Sequence, residues 1–132
     1  MDIFQAKELN LTMKKLLKGG FVVTPRGSRR ADVLLDGEKI AQVGHISPAE
    51  AKSAEVTDVS GCYLFPGFID AHIHLESSLV TPKEFVRATL PHGTTTVITD
   101  PHEITNVMGT DGIDYMFQAT EGLPIEIGRA HV

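Results

Sequence analysis

The segment 69–76 alternates apolar and polar residues with the period of a β-strand. Its apolar positions are Ile69, Ala71, Ile73 and Leu75, and its polar positions are Asp70, His72, His74 and Glu76. Because successive side chains of a strand point to opposite faces, this pattern predicts an apolar face that packs under helices and a polar face behind it. Pro66 and Gly67 come just before the run and mark the loop from which the strand begins.

The residues after this strand predict a helix and then a second strand. Thr81 is followed by Pro82 and Glu84, the pattern of a helix N-cap, a proline in the first turn and a capping box. Gly93 is expected to end the helix, and the β-branched run 94–99 predicts a strand. Strand, helix and strand in this order form a βαβ unit with a parallel sheet and a right-handed crossover. Two further helical patterns lie over 104–108 and 113–119.

The sequence pattern over residues 1–65 predicts a small β layer preceded by a helix. Apolar residues from Phe4 to Leu17 recur at near-helical spacing, so we expect an amphipathic helix there that ends at Gly19. Asp36-Gly37 predicts the tight turn of a hairpin. Short strand patterns lie over 21–24, 31–35, 39–43, 55–59 and 62–64.

The composition is that of an ordinary globular chain. It has 132 residues, of which 42% are hydrophobic and 22% charged, a balance that argues against a disordered segment. The net charge of −5 argues against nucleic acid and anionic membranes as partners. Cys62 is the only cysteine, so no disulfide can form within the chain, which fits the cytoplasm. We expect Cys62 to be a small, buried apolar residue.

Polar side chains follow both strands of the predicted parallel pair. His72 and His74 end the first strand, and Asp100 and His102 follow the second. Because the carboxyl ends of parallel strands meet at one edge of a sheet, where α/β proteins place their chemistry, the two clusters amount to half of an active site. Two imidazoles about 7 Å apart along a strand can bind the same metal ion. We therefore predict that His72 and His74 are metal ligands.

The neighbouring polar residues leave alternatives open. Asp70 either orients a histidine or is a buried structural acid, and Asp100 is a second candidate for orienting a ligand. Glu76 either reaches the metal site and binds substrate or caps the next loop. His102 and Glu103 either orient ligands, contact substrate or transfer protons, or else hold their loop in shape.

Four motifs around these residues are specific enough to indicate a family. The first is Pro66-Gly67-Phe68-Ile69-Asp70-Ala71-His72-Ile73-His74. The others are His72-Ile73-His74-Leu75-Glu76-Ser77-Ser78, Pro91-His92-Gly93-Thr94-Thr95-Thr96-Val97 and Asp100-Pro101-His102-Glu103-Ile104. The first motif resembles the amidohydrolase superfamily. The Glu-Ser-Ser and Asp-Pro-His-Glu-Ile parts are more specific and resemble the adenine deaminase family within it.

The resemblance implies a fold and an activity. The fold is α/β, the start of a metal-dependent hydrolase (β/α)8 TIM barrel preceded by a small β-sandwich layer. Residues 1–65 would belong to the sandwich domain, and 66–125 would be the first two βα units. The activity is conversion of adenine and water to hypoxanthine and ammonia, in which a metal-activated hydroxide attacks the purine carbon that bears the amino group.

The resemblance also implies a cofactor and partners. His72 and His74 would bind a divalent metal of a binuclear site, with manganese or iron expected and zinc as a further option. The substrate would be a small purine, and the full-length enzyme would be a candidate homo-oligomer.

The length and the last residues suggest a shortened chain. A TIM barrel needs about 250 residues, so the chain is expected to be truncated and inactive alone. Residues 126–132 can be encoded by DNA that resembles a sequencing-library adapter, which makes them a candidate non-native tail. Two alternatives stay open for function. One is another amidohydrolase acting on cyclic amides, such as a dihydroorotase-like enzyme, and the other is a non-catalytic metal-binding fragment.

Overall fold

The computed structural model describes residues 13–129, and the chain divides between Pro66 and Gly67 into two units. Within the described range, no helix has the length and apolar character that a membrane span requires. The first unit holds two sheets and one short helix. Its elements are β1 (Lys14–Lys18), β2 (Phe21–Thr24), β3 (Gly27–Arg30), β4 (Asp32–Asp36), β5 (Lys39–Gly44), α1 (Pro48–Lys52), β6 (Ala54–Asp58) and β7 (Tyr63–Leu64).

The core of the first unit packs against the larger of its two sheets. The four-stranded sheet has the order β5-β4-β1-β6, and the three-stranded sheet has the order β3-β2-β7. Leu16, Leu34 and Ile46 are buried together, with Ala51 and Ala54 packed against them. The predicted hairpin is confirmed, since Asp36 pairs with Lys39 across a two-residue turn.

The helix predicted to run up to Leu17 is wrong for Lys14–Lys18, which forms β1. Residues 1–12 of that prediction lie outside the described residues. Leu16 pairs with Leu34 on one side and with Val56 on the other, and it is buried. Because Leu16 is buried between two neighbouring strands, tertiary pairing outweighs the locally helical spacing of the apolar residues.

Cys62 also departs from its prediction, because it is exposed and not buried. It lies in the turn before β7, where its amide donates to the Val59 carbonyl at 3.0 Å and its carbonyl accepts from Phe21 at 2.9 Å. The backbone of this residue is therefore used in the fold, while its thiol is left at the surface.

The second unit is a parallel α/β arrangement. Its elements are β8 (Phe68–Ile73), α2 (Pro82–Thr89), β9 (Thr94–Thr99), α3 (His102–Met108), α4 (Thr110–Thr120) and β10 (Glu126–Arg129), with 3₁₀ helices at Leu75–Ser78 and Leu90–His92. The sheet order is β10-β9-β8, and both pairings are parallel. The predicted βαβ unit is confirmed. Residues 126–129 form β10, and the origin of the segment 126–132 stays a prediction.

The core of the second unit joins the helices to the sheet. Its buried residues are Leu75, Phe85, Val86, Val97 and Met116. The predicted N-cap and first-turn proline of α2 are confirmed, because the Glu84 amide donates to Thr81 Oγ1 at 3.4 Å and Pro82 occupies the first turn. Within the described residues only this half of the predicted capping box is formed, and Glu84 Oε1 accepts from Arg87 at 3.4 Å. The helix predicted over 104–108 begins earlier, at His102, and only Gly109 separates it from α4. This early start brings His102 and Glu103 into a helical first turn.

Candidate metal centre

The centre lies where β8 and β9 end side by side. Ile73 pairs with Thr99 as the last step of the parallel ladder, and the Asp100 amide then donates to the Ile73 carbonyl at 3.2 Å. His74 and Asp100 are therefore the first residues beyond the two strands, at the same edge of the sheet. This is the edge at which α/β proteins place their chemistry.

An irregularity in β8 changes the predicted alternation. Between the pairs Asp70–Val97 and Ile73–Thr99, β8 contains one residue more than β9. The strand then ends at Ile73, and Glu76 lies in the 3₁₀ helix. Strict alternation over 69–76 is therefore wrong from the irregularity after Asp70 onward. Ile69 is 66% exposed on an edge strand instead of lying under helices. An extra residue of this kind bends a strand and re-aims its side chains, and such bulges are common beside functional sites.

His72 and His74 converge despite the irregularity. Their Nε2 atoms are 3.3 Å apart, and their ring centroids are 5.0 Å apart with the rings nearly perpendicular. His74 Nδ1 lies 2.7 Å from the Asp100 main-chain oxygen. Because a carbonyl oxygen only accepts hydrogen bonds, Nδ1 must carry the hydrogen. In the neutral ring, His74 Nε2 therefore presents a lone pair toward His72.

The spacing of the two Nε2 atoms fits a shared divalent cation. Two imidazole nitrogens bound to a tetrahedral zinc ion at about 2.0–2.1 Å would be about 3.3–3.4 Å apart. The observed separation is 3.3 Å. The two histidines can thus hold one ion without a rearrangement of the strand that carries them.

Asp100 fixes a second imidazole as well. Its Oδ2 atom lies 3.0 Å from His102 Nδ1, and the His102 ring centroid is 4.6 Å from that of His74. One ligand atom from each of His74, Asp100 and His102 lies within 4.8 Å of the others, a group that could hold a divalent metal. Asp100 therefore orients one histidine with its main chain and another with its carboxylate. The sequence predicted that these residues lie at one edge of the sheet, but it did not predict His102 as a candidate metal ligand.

The remaining predicted site residues contact backbone and loop groups. Asp70 Oδ1 accepts from the His72 amide at 3.1 Å, not from an imidazole. Glu76 Oε1 accepts from the Ile104 amide at 3.2 Å, and Glu76 Oε2 is buried with no hydrogen-bond partner among residues 13–129. Glu103 Oε2 accepts from Ser77 Oγ at 2.6 Å.

The charges around His74 favour its protonated form. The hydrogen bond to the Asp100 carbonyl is the largest effect and raises the pKa of His74 above its ordinary value. Desolvation, the next largest effect, lowers it, and the carboxylates of Glu103, Asp100 and Glu76 each raise it by less. The same negative charges attract a cation. Because a metal needs the neutral imidazole, protons will compete with it at a higher pH than at an ordinary histidine.

The sequence of this chain was compared with those of known protein families. Residues 63–129, which include every candidate site residue, match the model of the amidohydrolase family. An adenine deaminase from Kosmotoga olearia is 48% identical over 98 residues, which cover 74% of this chain and 16% of that protein. The chain thus spans about a sixth of the length of this relative.

Solved structures show the same architecture. Dihydropyrimidinase from Brevibacillus agri superposes with a TM-score of 0.68 at 33% identity, over 89% of this chain and 26% of that one. A D-aminoacylase described as having a binuclear metal centre superposes with a TM-score of 0.53 at 39% identity, over 64% of this chain and 18% of that one. The sequence match and the shared fold lead to one conclusion: this chain belongs to the amidohydrolase family.

Proposed function

We propose that this chain carries the first metal-binding corner of an adenine deaminase, an enzyme that converts adenine and water to hypoxanthine and ammonia. The observation that carries the proposal is the pair of converging His72 and His74 Nε2 atoms, 3.3 Å apart. The assignment to adenine is supported by 48% identity to an adenine deaminase over 98 residues. The parallel β8-β9-β10 sheet supports a place at the start of a (β/α)8 barrel.

The donor set indicates the kind of cofactor. Imidazole nitrogens and nearby carboxylates suit manganese, iron and zinc, and we propose a binuclear site for manganese or iron, with zinc as the alternative. The D-aminoacylase with a binuclear centre supports the count of two. The remaining ligands would come from residues outside this chain. A divalent cation here would supply a water nucleophile near neutral pH and polarise the purine ring.

The residues of the chain would orient the site and handle protons. Hydrolytic deamination removes a proton from the attacking water and delivers one to the departing amine. The His102–Asp100 pair, 3.0 Å apart, joins an imidazole to a carboxylate and can hold such a proton. Glu103 is the second candidate for this transfer. Asp100, through its carbonyl, would keep His74 in the tautomer that exposes Nε2.

A second candidate function is hydrolysis of a cyclic amide. It is favoured by the likeness to dihydropyrimidinase, at a TM-score of 0.68. The sequence identity of 33% to that structure is below the 48% shared with the adenine deaminase. We therefore place adenine first.

Two reciprocal chimeras test the proposal. In the first, the aligned 98-residue segment of the Kosmotoga olearia enzyme is replaced by its counterpart from this chain. We expect the chimera to bind metal and release ammonia from adenine, because the ligands and their supports would be preserved. The same chimera with His74→Ala, the matched control, should lose both properties.

The second chimera places the segment in the Brevibacillus agri dihydropyrimidinase, with dihydrouracil as substrate. We expect no dihydrouracil turnover. A folded, metal-loaded first chimera without adenine turnover, together with an active second chimera, would contradict the assignment and support the cyclic-amide alternative.

A further inference from the structure

The first turn of α3 has no local cap. Pro101 precedes the helix at the N-cap position and makes no side-chain hydrogen bond there. The early amides of any helix lack partners within the helix, and an N-cap side chain commonly accepts from the third residue. Here the amide of that third residue, Ile104, donates to Glu76 Oε1 at 3.2 Å, from a residue 28 positions earlier. Glu76 thus replaces the missing cap from another element.

The next residue makes a second contact of the same kind. Ser77 Oγ donates to Glu103 Oε2 at 2.6 Å. Two consecutive residues of the 3₁₀ helix therefore hold two consecutive residues of α3. We call this group, formed by Glu76, Ser77, Glu103 and Ile104, the Glu76–Ser77 clasp.

The clasp fixes the part of α3 that faces the metal centre. His102 comes directly before the clasped residues, and its ring lies 4.6 Å from that of His74. The His102 side chain is 54% exposed, so burial contributes little to its orientation. Its position depends on its bond to Asp100 and on where the helix begins.

We propose that the Glu76–Ser77 clasp positions His102 and Glu103 at the metal centre, with Glu76 as a positioning residue rather than a substrate ligand. Both contacts of the clasp are made to α3. Glu76 Oε1 is engaged by an amide, and Glu76 Oε2, which has no partner among residues 13–129, is buried and not exposed to a substrate. This inference rests on the metal centre of the proposed function.

Hydrogen exchange of the metal-free chain tests the clasp. In Glu76→Ala, exchange at the Ile104 amide should be faster by about tenfold or more, because a hydrogen bond to a charged acceptor is lost. Glu76→Gln keeps an oxygen that can accept from Ile104, so it should retain most of the protection. Glu84→Ala, which removes an exposed carboxylate from α2, is the matched control and should leave Ile104 unchanged.

Zn²⁺ affinity of the same variants tests the positioning role. Glu76→Ala should bind Zn²⁺ about 10- to 100-fold more weakly, the usual effect of removing a group that supports a metal ligand, and Glu76→Gln should restore the affinity. If Glu76→Ala does not fold, Ser77→Ala, which removes only the contact to Glu103, should weaken Zn²⁺ binding in the same direction.

The outcomes separate the clasp from the metal centre. Unchanged Ile104 exchange in Glu76→Ala would overturn the clasp. Faster exchange with unchanged Zn²⁺ affinity would overturn the positioning role and leave only a helix cap. A wild-type chain that binds no Zn²⁺ would contradict the proposed metal centre, and the Ile104 exchange would still decide whether the clasp exists.

Discussion

Replacing His74 with alanine is expected to lower the Zn²⁺ affinity of the chain by more than about 100-fold, beyond the loss seen when a supporting group is removed. His74 Nε2 lies 3.3 Å from His72 Nε2, and its ring is held by the Asp100 carbonyl at 2.7 Å. Without His74, the exposed His72 loses the imidazole that converges on it. Calorimetric titration with Zn²⁺ at a pH above the raised pKa of His74 measures the effect.

His92→Ala is the matched control for this substitution. His92 is an exposed histidine that ends the 3₁₀ helix before β9, at the opposite end of that strand from Asp100. Its removal should leave Zn²⁺ affinity unchanged. The pKa of His74 is raised, so wild-type affinity should fall as the pH is lowered through that pKa. Equal losses in the two variants would show that the ion binds elsewhere.

Replacing Leu75 with alanine is expected to destabilise the second unit by about 2–5 kcal/mol, the range for large-to-small changes in a core. Leu75 is 1% exposed and belongs to the core that includes Val86 and Val97. It directly follows His74, so the core holds the backbone of a proposed metal ligand in place. Urea denaturation followed through the NMR signals of β9 amides measures the loss.

Leu79→Ala provides the same chemical change without the burial. Leu79 is 92% exposed and lies just after the 3₁₀ helix that contains Leu75. Its substitution should change stability by no more than about 0.5 kcal/mol, as is usual for exposed positions. Similar losses at the two leucines would mean that Leu75 does not anchor the edge of the sheet.

Local sequence signals were sufficient to predict much of the secondary structure of the second unit. The β-branched run 94–99 formed β9, and Thr81 and Pro82 began α2, because each signal acts within a few residues of itself. The strand assignment of Lys14–Lys18 was missed because it depends on β4 and β6, which lie far away in sequence. The extra residue in β8 was also missed, since a bulge depends on the register with β9.

The candidate site was likewise predicted only in part from the sequence. The sequence brought His72, His74, Asp100 and His102 to one edge of the sheet, because parallel strands end together. It could not show that Asp100 uses its carbonyl for His74 and its carboxylate for His102. That double role needs the first residue beyond β9 to be level with the end of β8, a property of the assembled sheet.

The ligands of a zinc ion bound to the wild-type chain give the most direct test of the metal centre. X-ray absorption at the zinc edge should show at least two imidazole nitrogens at about 2.0–2.1 Å. The imidazole signal should disappear in the triple variant His72→Ala/His74→Ala/His102→Ala. A zinc ion with oxygen ligands alone, or an imidazole signal that survives the triple substitution, would contradict a metal centre at the ends of β8 and β9.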